Sequence, residues 1–136
     1  MPAKVILNPY AGRWSAQERR EEAEQALRLA GVEFELSVSE RPQQGIELAE
    51  QAVRQGFSPI ISAGGDGSNG EVINGMLRAH PEGVLGPFGV LPLGTANDLA
   101  VNLGLPLDLK EAAACIAAGK TRRIDLGKVN DWVFDN

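Results

Sequence analysis

The chain repeats one pattern: a short apolar run, a cluster of chain-breaking residues, then a stretch with apolar residues at helical spacing. Val5 to Leu7 run into Asn8-Pro9 and Gly12, FSPIISA at 57–63 runs into the glycines of SAGGDGSNGE at 62–71, and GPFGVLP at 86–92 runs into LGTAND at 93–98. Short apolar runs bounded by breakers suit strands buried on both faces. Strands alternating with helices build a parallel sheet with helices on both sides, an α/β architecture. In such sheets ligands bind at the carboxyl ends of the strands. The loops Asn8 to Arg13, Gly64 to Glu71 and Pro92 to Asp98 are therefore expected to converge on one rim.

The remaining stretches fit this scheme. Ser15 with Glu18 matches a capping box, and the Ala- and Glu-rich segment after it reads as a helix to Ala30, stopped by Gly31. VEFELSVS at 32–39 alternates apolar and polar residues, as a strand with one wet face near a sheet edge does. Pro42 introduces a helix carrying Ile46, Ala49 and Val53 and closed by Gly56. Val72, Ile73, Met76 and Leu77 mark the apolar stripe of the helix after the glycines. A short helix is predicted over 96–103, and Asp108 with Glu111 caps an Ala-rich helix ending at Gly119. RRIDLGKV at 122–129 reads as a strand, Asn130-Asp131 as a turn, and Trp132 to Phe134 as a returning strand.

Composition narrows the class. At 136 residues, 43% apolar and 23% charged, the chain is sized for one globular domain. A net charge of −5 argues against a nucleic-acid surface. The lone Cys115 forms no internal disulfide and fits a reducing compartment. No stretch approaches a membrane span, and the N-terminal apolar run is too short for a signal peptide, so a cytoplasmic protein is expected. Trp132, Val133 and Phe134 open an apolar strand that stops two residues later. The expectation is a domain cut from a larger protein, its apolar end exposed and favouring self-association into a homodimer.

A glycine-rich turn between a buried strand and a helix N-terminus offers backbone N–H groups and the positive end of the helix dipole to a phosphate. The bland alternative is an ordinary turn with Ser68 as N-cap and Glu71 as its capping-box partner. The segment is not G-x-x-x-x-G-K-[ST], since no lysine follows the glycines. Gly65, Gly67 and Gly70 formally match G-x-G-x-x-G, but Asp66 sits between the first two and would repel phosphate unless a metal or a set of donors intervenes. Asp98 follows Thr95 and Asn97 and can serve the site or cap a helix. His80 reads as a solvated turn residue, Cys115 as a small buried hydrophobe, and Arg122 and Arg123 as solvated.

GGDGS at 64–68 followed by Glu71, NPYAGR at 8–13 and PLGTAND at 92–98 together resemble the catalytic domain of the diacylglycerol kinase family, which includes bacterial lipid kinases and sphingosine and ceramide kinases. GGDG is shared with NAD kinases and phosphofructokinases; PLGTAND is the discriminating piece. The resemblance implies a Rossmann-like α/β domain over 1–130 that binds ATP with Mg²⁺, and a second, β-rich domain beginning at 131–136 that supplies the general base. It implies transfer of the ATP γ-phosphate to a lipid hydroxyl at a membrane surface. Carried onto this chain, Asn8 and Gly12 shape the first nucleotide loop, and Ser39 stands where the family often has a threonine contacting ATP. The segment Gly64, Gly65, Asp66, Gly67, Ser68, Asn69, Gly70 and Glu71 surrounds phosphates and ribose, with Asp66 in a supporting catalytic role. Thr95, with Asn97 and Asp98, contributes from the third loop. Two departures stand out: Ser68 replaces a threonine, and Gly70 falls where an asparagine or histidine commonly precedes the glutamate. Metal ligands and acceptor lipid are left open. An NAD kinase-like phosphotransferase and a non-catalytic nucleotide-binding module are the alternatives.

Overall fold

The computed structural model describes residues 2–83, 85–121, 127–129 and 132–134. β1 (Ala3–Leu7), β2 (Phe34–Val38), β3 (Ile60–Gly64) and β4 (Phe88–Pro92) form one parallel sheet in the order β2-β1-β3-β4. The register runs Val5 against Leu36 and Ile61, and Ser62 against Val90. α1 (Ser15–Glu18), α2 (Arg20–Leu29), α3 (Gln44–Arg54), α4 (Asp66–Ala79), α5 (Asp98–Asn102) and α6 (Leu109–Ala118) connect or flank the strands. β5 (Gly127–Val129) and β6 (Trp132–Phe134) pair antiparallel in a separate two-stranded sheet.

The apolar runs become central strands because both of their faces are covered. Val5, Leu7, Ile61, Ala63 and Leu91 pack against Ala23, Ala26 and Leu27 of α2 and Ala112 and Ala113 of α6. The opposite face sets Ile6 and Ile60 against Ala49 and Ala52 of α3 and Val72 and Met76 of α4. Val90 with Leu99 and Ala100 seals the β4 side. Burying each of the larger side chains contributes roughly 1.5–3 kcal/mol, an upper estimate against a compact unfolded chain. α3 and α4 approach so closely at Gly75 that a Cβ there would lie 2.7 Å from the Ala49 Cβ and collide with the Ile46 carbonyl oxygen.

The alternating stretch at 32–39 is the edge strand expected, with Glu33 and Glu35 exposed. The helix after the first loop differs from its prediction. Ser15 is the first helical residue and no cap; Trp14 precedes it in left-handed backbone, φ 78°, without a side-chain cap. The helix then breaks at Arg19, φ −96° and ψ 7°, before α2 begins. Gly12, Arg13 and Trp14 all have positive φ, so the chain turns in just ahead of Ser15 and places its hydroxyl beneath Gly12. Cys115 is exposed, not buried. The inner face of α6 is Leu109, Ala112, Ala113 and half-buried Ile116, and position 115 falls outside that stripe. The helix predicted over 96–103 is confined to α5, leaving Ala96 in the loop. Asp108 caps α6 as expected, its Oδ2 accepting from the Glu111 N–H at 3.1 Å. Arg122, Arg123, the turn at Asn130-Asp131, and the side chains of Trp132 to Phe134 lie outside the described residues.

Candidate functional site

The strand order reverses between β1 and β3: the chain leaves β1 for β2 on one side and returns to β3 on the other. The loops after β1 and β3 therefore part at a crevice, the position where open α/β sheets take ligands. The third loop, after β4, borders it as well. Asn8, Ala11 and Gly12 from the first loop, Gly65, Asp66, Gly67 and Ser68 from the second, and Gly94, Thr95 and Ala96 from the third line one cleft of about 270 Å³. The expected convergence is observed.

The motif side chains tie these loops together. Asn8 Nδ2 donates to Ser68 Oγ at 2.9 Å, while Asn8 Oδ1 accepts from the Tyr10 N–H at 2.9 Å. The Leu93 N–H donates to the Gly64 carbonyl at 2.8 Å, joining the second and third loops. Asn97 Oδ1 accepts from the Gly94 N–H at 3.0 Å and its Nδ2 donates to the Gly94 carbonyl at 3.1 Å, with Asn97 itself in left-handed backbone. Asp66 reaches across to α5: Oδ2 accepts from the Asp98 N–H at 2.9 Å and Oδ1 from the Leu99 N–H at 3.2 Å.

The glycines divide by what surrounds them. A Cβ on Gly94 would lie 2.5 Å from the Gly65 Cα, and one on Gly65 would lie 3.0 Å from the Gly94 Cα, so these two exist to let loops touch. Gly12, at φ +59°, would put a Cβ 2.5 Å from the Leu93 carbonyl oxygen, and Gly64 would crowd Ser68. Gly67 is different. A Cβ there would meet no heavy atom within 4 Å and would project from an exposed position lining the cleft. Packing therefore gives no reason for glycine at 67.

Gly67 stands in the first turn of α4, whose N-cap is Gly65 with no side-chain cap. An α-helix leaves its first N–H groups without intrahelical partners, and its dipole adds about half a positive charge there. Asp66, Gly67 and Ser68 thus present uncapped donors at the cleft, a ready anion site. Asp66 carries the opposing charge, but two N–H groups at the start of α5 accommodate it.

Other predicted residues sit beside or behind the cleft. Ser39 is buried, with its N–H donating to the Leu7 carbonyl at 2.9 Å, and does not line it. Asn69 is only 1% exposed, on the face of α4 that bears Val72 and Ile73. The Gly70 carbonyl accepts from Asn74 Nδ2 at 2.7 Å. Glu71 points to α3, Oε1 accepting from the Gly45 N–H at 3.1 Å; burial pushes its carboxyl above the ordinary value of 4.5, and the Gly45 bond offsets part of that. Asp98 is exposed at the start of α5. The Ser68–Glu71 capping box is not formed, because α4 begins at Asp66 and both side chains are engaged elsewhere. His80 is exposed at the end of α4, beside a small apolar pocket formed with Val53, Phe57 and Met76 among others. Ala11, Gly94 and Ala96 line the cleft without having been singled out; small apolar side chains carry no chemical signal of their own.

Mg²⁺ is held by few protein carboxylates where substrate phosphates supply the other oxygens. Among the described residues no three acidic, histidine or cysteine side chains cluster as a metal cage. The donor set fits phosphate.

Residues 2–129 match the diacylglycerol kinase catalytic domain. The chain belongs to that family. It is 36% identical over 135 residues to a diacylglycerol kinase of Bacillus subtilis (strain 168), covering 98% of this chain and 44% of the relative. It is 33% identical over 134 residues to a diacylglycerol kinase of Staphylococcus aureus (strain MRSA252), covering 98% and 42%. A crystal structure of a diacylglycerol kinase from Bacillus anthracis str. Sterne superposes with a TM-score of 0.82 at 25% identity, over 98% of this chain and 45% of that one. The chain spans under half the length of the curated relatives it matches. The family match takes in both GGDG and PLGTAND.

Proposed function

We propose that this chain is the ATP-binding part of a lipid kinase, holding the donor phosphates on the backbone of the α4 N-terminus. Gly67 carries this reading: an open, unfilled position in front of uncapped N–H groups at the switch point of a parallel sheet. Phosphoryl transfer relies on positioning and charge stabilisation, with little covalent chemistry left to the protein. The α4 N–H groups would take phosphate oxygens, Thr95 would add a hydroxyl from the opposite wall, and Ala11 and Gly12 would close the first side. Mg²⁺ bound with the nucleotide would neutralise phosphate charge, with Asp98 the exposed carboxylate nearest in sequence to the cleft wall.

Neither Asp66 nor Glu71 is a good general base toward an acceptor, because each already accepts hydrogen bonds from a neighbouring helix. The base and most of the acceptor site are assigned to the part of the relatives that this chain does not cover. The acceptor is a lipid hydroxyl reached at a membrane surface by a peripheral, cytoplasmic protein; among the described residues no helix is long and apolar enough to cross a membrane. Calorimetric titration with ATP, ADP, AMP and NAD tests the reading. ATP and ADP should bind and AMP at least tenfold more weakly, since β- and γ-phosphates make the backbone contacts. Equal affinity for AMP and ATP, or preference for NAD, would overturn it.

A further inference from the structure

We infer that the Asp66 carboxylate is a positioning group, acting on nucleotide through the third loop and not by touching phosphate or metal itself. This deepens the nucleotide-binding reading and rests on it for its ligand arm. Both carboxylate oxygens accept from backbone N–H groups that open α5, at 2.9 and 3.2 Å, across 32 and 33 residues of sequence. Asp66 therefore caps a helix other than its own, and α5 has no side-chain cap from its N-cap residue, Asn97. The same junction is sealed by the Gly65–Gly94 backbone contact and the Leu93–Gly64 hydrogen bond. Asn97 holds Gly94 from both sides, which leaves Thr95 and Ala96 as the exposed tip facing α4.

The tip is therefore fixed at both ends: β4 at one, and Asp66 holding α5 at the other. An acid placed directly after the glycines would oppose phosphate if its charge faced the cleft. Here that charge is satisfied by two amides, and the same bonds set the distance between the α4 N-terminus and Thr95. Deleting an N-cap loosens chiefly the helix start where the cap acts.

Amide hydrogen exchange and ADP titration separate the possibilities. Without nucleotide, Asp66→Ala should speed exchange at the Asp98 and Leu99 amides at least fivefold, with Ile61 and Val72 unchanged, and Asp66→Asn should recover part of the protection by keeping one acceptor oxygen. With ADP, Thr95→Val should weaken binding several-fold in the parent but scarcely further in the Asp66→Ala background, with the Asp66→Ala loss the same in Mg²⁺ and in EDTA. Unchanged exchange at 98 and 99 in Asp66→Ala would overturn the clasp itself, whatever the ligand does. Additive losses for Asp66→Ala and Thr95→Val, a Thr95→Val variant that binds as tightly as the parent, or a loss seen only in Mg²⁺ would overturn action through the loop. Absence of ADP binding in the parent would count against the nucleotide reading while leaving the exchange result to judge the clasp.

Discussion

Replacing Gly67 by valine should separate ligand binding from folding. The residue is exposed, lies in ordinary helical backbone, and a Cβ there meets nothing within 4 Å. Glycine in a helix costs about 1 kcal/mol relative to alanine, and valine recovers part of that because its χ1 is restricted. The melting temperature should therefore hold or rise by a few degrees. Binding should respond in the opposite sense. The branched side chain would fill the space in front of the first-turn N–H groups of α4. Two hydrogen bonds to a charged phosphate are worth about 1.5–3 kcal/mol each. Losing both weakens ADP by roughly 100-fold or more, at 1.4 kcal/mol per tenfold. Calorimetry with ADP and a thermal melt on the same samples measure both quantities. Gly94→Ala serves as the contrast: its Cβ would lie 2.5 Å from the Gly65 Cα, so stability and binding should fall together. A Gly67→Val protein that binds ADP with the parent's Kd would refute the reasoning.

Glu71→Gln tests the half-buried acid. Burial raises the Glu71 carboxyl above 4.5, so as pH rises from that value the unfolded chain releases this proton before the folded one, and stability falls through the window up to the raised folded value. Gln keeps an acceptor for the Gly45 N–H, so at neutral pH the variant should be at least as stable as the parent, and that segment of a stability–pH curve should flatten; an unchanged slope would show that Glu71 does not titrate there. Gly75→Ala should destabilise by about 1–3 kcal/mol by overpacking α3 against α4, read from urea midpoints. Ser62 Oγ is fully buried with no partner among the described residues, so Ser62→Ala should leave stability unchanged or raise it by about 1 kcal/mol, and a clear loss would mean the hydroxyl has a partner.

The parts of this fold that were legible from sequence are those whose cause is local. Val5 to Leu7, Ile60-Ile61 and Val90-Leu91 are short, apolar and bounded by breakers because they are covered on both faces, and they are β1, β3 and β4. The three breaker-rich loops follow from where such strands must end, and their meeting on one rim follows from parallel topology. Asp108 caps α6 because the amide it accepts from, that of Glu111, lies three residues on in the same chain segment. Ser68 and Glu71 match the Ser-x-x-Glu spacing that marks a capping box, yet Asn8 of the first loop and Gly45 of α3 claim their side chains. A local pattern cannot register that competition. Cys115 was misplaced because α6 carries alanine on its exposed as well as its buried face, Ala114 and Ala117 outside and Ala112 and Ala113 inside, so no amphipathic period marks the core side. The glycine loop was only half legible. Four glycines announce close approach, but Gly65 and Gly94 approach each other, and Gly67 alone faces open space with no close neighbour in the cleft lining. Asp66 reads as an acid at a phosphate until its partners, Asp98 and Leu99, are brought beside it by the fold.

The placement of the donor phosphates on the α4 N-terminus is tested most directly by amide chemical shifts during titration with ADP. The expected result is that the largest changes fall on Asp66, Gly67 and Ser68, with smaller ones on Ala11, Gly12 and Thr95, and that inorganic pyrophosphate moves the first group alone. Shifts centred instead on the apolar pocket around Val53, Phe57 and Met76 at the far end of the sheet, with the amides of 66–68 unmoved, would contradict it.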